Sequence, residues 1–351
     1  MEPQKVIISD NLQQSLNEAI AACQYDQLFV LVDTTTERLC LPVVADYDCM
    51  RDAQRIVIPD TDTHKTLDSV THVWSELQRL GATRHSLMIN LGGGMVTDLG
   101  GFAASTFKRG IQYINIPTTL LSMVDASVGG KTGFNFGGLK NEIGVFSNAS
   151  SVILDTTFLR TMDRENLLSG YAEMIKHALI SSVDEWAELL CYVPDSSNLA
   201  PLAPMLKTNI QVKERIVEAD SHEQGLRKAL NLGHTVGHAL ESFAMAAGRP
   251  VLHGYAVAWG IVCELYLSAI KTGFPTTPLR QTAAYIRLHY GQPAIECKHY
   301  DQRLELMTHD KKNTGSSINF TLLADIGSLR LNQTATRDEI FEALDFLRDG
   351  C

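Results

Sequence analysis

A chain of 351 residues with 45% hydrophobic content is long enough for two domains, or one large one, and needs no disulfide or metal staple to hold its fold. Its net charge of -10 at pH 7 argues against a nucleic-acid binder, which needs excess Lys and Arg to neutralise phosphates, so an anionic ligand must be met locally. Seven cysteines with no CxxC pair fit free thiols in a reducing compartment; no secretory leader follows Met1 and no apolar run reaches membrane-spanning length, so the expected location is the cytoplasm with no membrane partner.

Strands are predicted at Leu28–Val32, Ile56–Ile58, Ser86–Leu91 and Tyr113–Ile116, separated by helical stretches such as Asn11–Ala22 and Lys65–Leu80. That alternation is the pattern of a parallel sheet wrapped by helices on both faces, an architecture suited to nucleotides. From about Asp163 helical periodicity dominates, over Leu167–Leu190, Met205–Val217, Leu230–Ala247 and Tyr255–Lys271. Two late strands, Ile318–Leu323 and Leu329–Leu331, suggest a hairpin, and Thr336 with Glu339 forms a capping box for a terminal helix. The expected organisation is an α/β nucleotide-binding domain with a parallel sheet over residues 1–157 and a mainly α-helical metal- and substrate-binding domain over residues 158–351.

Four motifs carry chemistry. Gly92-Gly93-Gly94 with Asp98 lies between a strand and a helical run, where glycines let backbone amides close on a pyrophosphate at the positive end of a helix. Taken alone, the glycines read slightly better as a tight strand-to-helix turn, but Thr118 and Thr119 follow the next strand and add hydroxyls at a neighbouring carboxyl end. Gly129-Gly130-Lys131-Thr132 resembles the end of a phosphate-binding P-loop, yet Asp125 occupies the position of its first glycine, which excludes that motif. What remains is a segment presenting Lys131, Lys140 and Asn141 to an anion, or lysines on a solvated surface. Glu173 and Lys176 fall three apart on one helix face, as a surface ion pair or as a ligand beside a substrate-binding amine. His234 and His238 lie one helical turn apart and aim two imidazoles at one point. The pair alone fits a solvated helix face; with a third ligand, His253 or Glu173, it fits a divalent metal. Lys213 adds a donor, and Arg227 and Asn231 stand at helical spacing from the two histidines, on what reads as one stripe.

Taken together, Gly-Gly-Gly with Asp98, Pro-Thr-Thr-Leu-Leu, Val-Asp-Ala-Ser-Val-Gly-Gly-Lys-Thr, Leu-Lys-Asn, Gly-Tyr-Ala-Glu-Met-Ile-Lys, Gly-Leu-Arg-Lys-Ala-Leu-Asn-Leu-Gly-His-Thr-Val-Gly-His and His-Gly-Tyr-Ala-Val resemble the 3-dehydroquinate synthase family of sugar phosphate cyclases, in the family's order over roughly residues 28 to 330. The resemblance implies a shikimate-pathway enzyme that converts 3-deoxy-D-arabino-heptulosonate 7-phosphate to 3-dehydroquinate and phosphate by transient oxidation at NAD, phosphate elimination, reduction and aldol closure. It implies NAD and a divalent metal, zinc or else cobalt, as cofactors, and a homodimer. The metal ligands implied are Glu173, His234 and His253, which moves His238 to the substrate. Substrate contacts fall to Arg109, Lys131, Asn141, Lys176, Lys213, Arg227, Asn231, His238 and Lys311, or its neighbour Lys312, with Asp125 and Lys140 near the nicotinamide, which Lys131 also borders. Gly93, Gly94, Asp98, Thr118 and Thr119 would bind NAD, with Asp33, Asp62, Lys65 and Thr161 completing its pocket.

The chain departs from the family pattern at Met95, Thr97, Asp62 and the Ser221-His222 pair, none of them a catalytic position. Three other readings are a cyclase acting on a different sugar phosphate, a metal-dependent alcohol dehydrogenase, and a non-catalytic NAD-binding protein. The lysine cluster counts against the second and the complete ligand set against the third.

Overall fold

In the computed structural model, which describes residues 4–137, 139–308 and 318–350, the apolar runs of the first half become neighbours in one sheet. The chain forms two units, Met1–Asp163 and Arg164–Cys351. The first runs β1 (Lys5–Ile8), α1 (Leu12–Ala21), β2 (Leu28–Asp33), α2 (Thr34–Leu39), α3 (Leu41–Val44), β3 (Gln54–Ile58), α4 (Leu67–Arg79), β4 (Leu87–Gly92), α5 (Gly94–Thr106), β5 (Gln112–Pro117), β6 (Lys131–Phe136), β7 (Leu139–Phe146) and β8 (Ser151–Leu154). Among the described residues, six strands pair in the order β1-β8-β5-β4-β2-β3, all parallel. Every residue of β2 and β4 is buried, the signature of strands covered on both faces. The chain passes outward from β2 to β3, then returns across β2 to β4 and β5, so the strand order reverses between β2 and β4. Ligands of open parallel sheets sit at the carboxyl ends of such a reversal.

Sequence reading passes over β1 and β8, which are four residues each, and over the antiparallel pair β6 and β7, whose glycines and polar residues obscure any alternation. Gly129 and Gly130 both take positive φ and lead into a strand at Lys131. A P-loop would open a helix there, so its exclusion stands.

The second unit holds α6 (Arg164–Leu179), α7 (Val183–Leu190), α8 (Leu202–Ala219), α9 (His234–Ala246), α10 (His253–Thr272), α11 (Thr276–Tyr290), α12 (Tyr300–Thr308), β9 (Phe320–Asp325), β10 (Ser328–Gln333) and α13 (Arg337–Asp349). The late hairpin is β9 against β10, and the capping box of α13 forms as expected between Thr336 and Glu339.

Two continuous helices expected from periodicity are broken. Leu167–Leu190 divides into α6 and α7, the second restarted by Ser182, whose side chain accepts from the Glu185 amide. Leu230–Ala247 divides at Gly233, which is left-handed with φ +79°, and Leu226–Asn231 forms a separate tight 3₁₀ turn. A Cβ at Gly233 would stand 2.6 Å from Ile261 Cγ1 and 2.9 Å from the Val257 carbonyl, so the break is fixed by packing on α10. Arg227 and Asn231 therefore do not share a helical stripe with His234 and His238.

Candidate active site

In the first unit the carboxyl ends of β2, β4 and β5 carry Asp33, Gly92-Gly93-Gly94 and Thr118-Thr119. Gly93 caps α5 without a side-chain hydrogen bond, leaving the first-turn amides for an anion. Cβ atoms at Gly93 and Gly94 would stand 3.3 Å from Thr119 Cγ2 and 3.1 Å from Ala126 Cβ. Thr118 N donates to the Gly92 carbonyl at 3.0 Å, which ties the two loops. Asp33 caps α2, accepting from Thr36 N at 2.7 Å. The buried Cys40 thiol, pushed up by burial against hydrogen bonds with Thr161 and Thr118, also feels the Asp33 charge, so these three residues surround one thiol.

A second group gathers around Lys65. Its Nζ is buried, 2.5 Å from Asp98 Oδ2, and also donates to Asn141 Oδ1. Asn141 N donates to Asn135 Oδ1 at 2.9 Å, Asn135 donates to the Asp62 carbonyl at 3.0 Å, and Asp62 lies 3.4 Å from Lys140 Nζ. The structure thus unites Asp62, Lys65, Asp98, Lys140 and Asn141. Arg109 is exposed with φ +73° in the turn Phe107–Arg109, Lys131 is exposed at the start of β6, and Asp125 lies in the turn Ser122–Ala126.

In the second unit three helices meet through glycines. A Cβ at Gly254, beside His253, would stand 1.8 Å from the Ser169 carbonyl, one turn before Glu173, and a Cβ at Gly260 would stand 1.9 Å from the Gly233 carbonyl, beside His234. Only hydrogen at these positions lets α6, α9 and α10 approach this closely. The start of α9 is held further by Glu264 of α10, whose fully buried carboxylate accepts from Gly233 N at 2.6 Å, Thr235 N at 3.0 Å and Val236 N at 3.2 Å.

These contacts bring Glu173 Oε1 to 3.5 Å from both His234 Nε2 and His253 Nε2. Ligands about 2.1 Å from a tetrahedral ion stand roughly 3.4 Å from one another, so the spacing is that of a metal's ligand atoms. Both Glu173 oxygens are fully buried and, beyond the ion pair of Oε2 with Lys176, neither accepts a hydrogen bond of good geometry. A buried carboxylate in that state fits a cation, and the donor set of one carboxylate and two imidazoles fits zinc or its borderline neighbours. Nitrogens of His234, His238 and His253 also lie within 4.8 Å of one another, so His238 stands beside the same point. The Nδ1 of His234 is 3.1 Å from the Leu232 carbonyl, to which it donates, so in the neutral ring the lone pair lies on Nε2, toward Glu173.

Burial disfavours the Glu173 charge, but Lys176, His234 and His253 together hold its carboxyl well below the usual carboxylate range. Burial likewise opposes a charged His253, yet Glu173 and Glu241 push its pKa up to about 10. Lys176 is fully buried and pairs with Glu173, while Lys213 and Arg227 are buried on α8 and in the Leu226–Asn231 turn. Arg227 Nη1 donates to the Ser221 carbonyl at 2.7 Å and Asn231 Nδ2 to Glu223 Oε1 at 2.9 Å. Asp220 accepts from Gly225 N and Arg227 N and shapes the loop. Lys311 and Lys312 lie outside the described residues.

Residues 55–169 match the family model described as 3-dehydroquinate synthase N-terminal, and residues 170–313 the one described as 3-dehydroquinate synthase C-terminal. The chain is 51% identical over 350 residues to 3-dehydroquinate synthase of Parabacteroides distasonis, covering 100% of this chain and 99% of that one. This chain belongs to the 3-dehydroquinate synthase family. The Bacillus pumilus 3-dehydroquinate synthase is 34% identical, with 99% of this chain and 96% of the relative covered. Among solved structures, 2-epi-5-epi-valiolone synthase ValA from Streptomyces hygroscopicus, with NAD+ and Zn2+ bound, superposes with a TM-score of 0.88 at 27% identity, covering 99% of this chain and 98% of that one. The helical unit and parallel-sheet unit are thus the architecture of sugar phosphate cyclases. No helix among the described residues is long and apolar enough to cross a membrane.

Sequence reasoning missed Glu223, Glu241 and Glu264. Glu241 was within reach of the reading, since it falls three residues after His238 and seven after His234 and so extends the same helical stripe. Glu223 reaches Asn231 from the preceding loop and Glu264 reaches the start of α9 from α10, contacts that no helical spacing reveals.

Proposed function

We propose that this chain converts 3-deoxy-D-arabino-heptulosonate 7-phosphate to 3-dehydroquinate and phosphate, as a carbon-oxygen lyase dependent on NAD and one divalent metal, zinc or cobalt. The observation that carries the reading is the Glu173–His234–His253 trio with Lys176 at its carboxylate, in a chain that aligns along its whole length with a 3-dehydroquinate synthase. When bound, NAD would accept and return a hydride, and the metal would act as a Lewis acid on the substrate hydroxyl being oxidised.

Glu173, His234 and His253 would hold the metal. The α5 amides at Gly93 and Gly94 would take the pyrophosphate, with Thr118, Thr119, Asp33, Asp62, Thr161 and the Lys65–Asp98 pair around the remainder of the nucleotide. Lys140 and Asp125 would flank the nicotinamide. Lys176, Lys213 and Arg227 would grip the substrate's carboxylate and phosphate through charge-assisted hydrogen bonds, with Arg109, Lys131 and Asn141 as further donors. Asn231, its amide held by Glu223, would orient a hydroxyl, and His238 would hold or move a proton. Holding the substrate in a reactive geometry contributes about 7 to 11 kcal/mol in favourable cases, and positioning is the chain's main contribution.

Phosphate release from the heptulosonate phosphate tests this reading. Chelator-treated protein should release none, and added Zn2+ or Co2+ should restore the rate. Undiminished release by metal-free protein, or none from metal-loaded protein with NAD, would overturn it.

A further inference from the structure

We propose that Glu241 is a positioning residue of the metal centre, whose carboxylate fixes the ring of His253 by accepting its Nδ1 proton. The proposal rests on the ligand set given above. Glu241 is nearly fully buried on α9, and its Oε2 lies 3.2 Å from His253 Nδ1 at the start of α10. The opposite nitrogen of the same ring, Nε2, is the one 3.5 Å from Glu173 Oε1. A neutral imidazole has one proton, and if it sat on Nε2 it would point at the metal position. With the proton kept on Nδ1 by Glu241, Nε2 presents its lone pair. The two histidines are therefore held differently, His234 by the Leu232 carbonyl and His253 by a carboxylate.

The carboxylate also sets charge. Glu173 and Glu241 together offset a divalent ion, and Lys176 then leaves the centre one positive charge for an anionic substrate. Removing Glu241 would raise the uncompensated charge in a buried site, which disfavours the ion. A carboxylate behind a ligating histidine typically affects metal affinity by 10- to 100-fold.

The test measures Co2+ binding to chelator-stripped full-length protein by competition, together with the visible absorption of the bound ion, a signature of its coordination. Glu241→Ala should weaken binding roughly 100-fold and shift the absorption, and the isosteric Glu241→Gln, which keeps an acceptor but loses the charge, roughly 10-fold. Leu240→Ala removes a neighbouring buried side chain of α9 and should lower the unfolding temperature with Co2+ affinity unchanged. Wild-type affinity and absorption in Glu241→Gln, or equal weakening in Leu240→Ala, would overturn the proposal. His253→Ala separates the two readings: if it abolishes tight Co2+ binding while both Glu241 variants bind normally, the ligand set stands and only the role of Glu241 falls. If His253→Ala binds Co2+ like the wild type, both fall.

Discussion

Glu173 keeps its charge in full burial because three nitrogenous groups surround it, and the same arrangement would couple the proposed metal binding to proton release. In the metal-free protein His253 is raised from its ordinary 6.5 to about 10, with burial opposed by Glu173 and Glu241. A raised pKa stabilises the folded metal-free chain fully below pH 6.5 and loses that contribution as pH rises toward 10. A metal ligand must be neutral, so loading at pH 8 should expel about one proton from His253, and affinity should fall on acidification. Calorimetry in buffers of different ionisation enthalpy checks this; no proton release would contradict it. The histidines should also part in function: His253→Ala is expected to lose metal and activity together, whereas His238→Ala keeps metal and loses activity by about 100-fold or more, as for a proton-handling group. Metal analysis beside rate measurement decides it, and equal metal loss in both would reverse the ligand assignment. The ligand types were legible because His234 and His238 stand at helical spacing; spacing alone did not choose between them, and the proposed choice of His234 came from the family resemblance. That choice depends on α6 and α10 arriving from distant sequence and on the ring anchors at Leu232 and Glu241.

At the scale of elements, the site is precise because α6, α9 and α10 touch through Gly233, Gly254 and Gly260. Gly260→Ala would drive a methyl to 1.9 Å from the Gly233 carbonyl, and backbone there cannot yield as a side chain would. Overpacking of this kind typically costs about 1 to 3 kcal/mol, so thermal unfolding of the metal-free variant should come at lower temperature. Because the displaced carbonyl adjoins His234, metal affinity should fall as well. A variant with unchanged stability and affinity would show that the helices are not interlocked at this point. Periodicity located these helices but ran α9 back through Gly233 to Leu230. Hydrophobic spacing carries no record of a left-handed residue, nor of Val257 and Ile261, distant in sequence, which leave no room for a Cβ at Gly233.

For the whole molecule, the alternation of short apolar runs with helices disclosed a parallel sheet, since β2, β4 and β5 are buried throughout or nearly so and their composition shows it. The four-residue β1 and β8, the partly buried β6 and the exposed β7 left no such trace. The candidate groups fall in short family motifs and so stand out in sequence, and Glu241 shares the stripe of His234 and His238, while Glu223 and Glu264 leave no local mark. In a chain with net charge -10, the buried Lys176, Lys213 and Arg227 concentrate positive charge in one unit, where the proposed phosphorylated acid would be met. The most direct measurement of the proposed chemistry is the stoichiometry of turnover. Metal-loaded protein with excess 3-deoxy-D-arabino-heptulosonate 7-phosphate and limiting NAD should release many equivalents of phosphate per NAD, matched by dehydroquinate, with no accumulation of NADH. Phosphate release that stops at the NAD supplied, or NADH formed in step with product, would contradict the account.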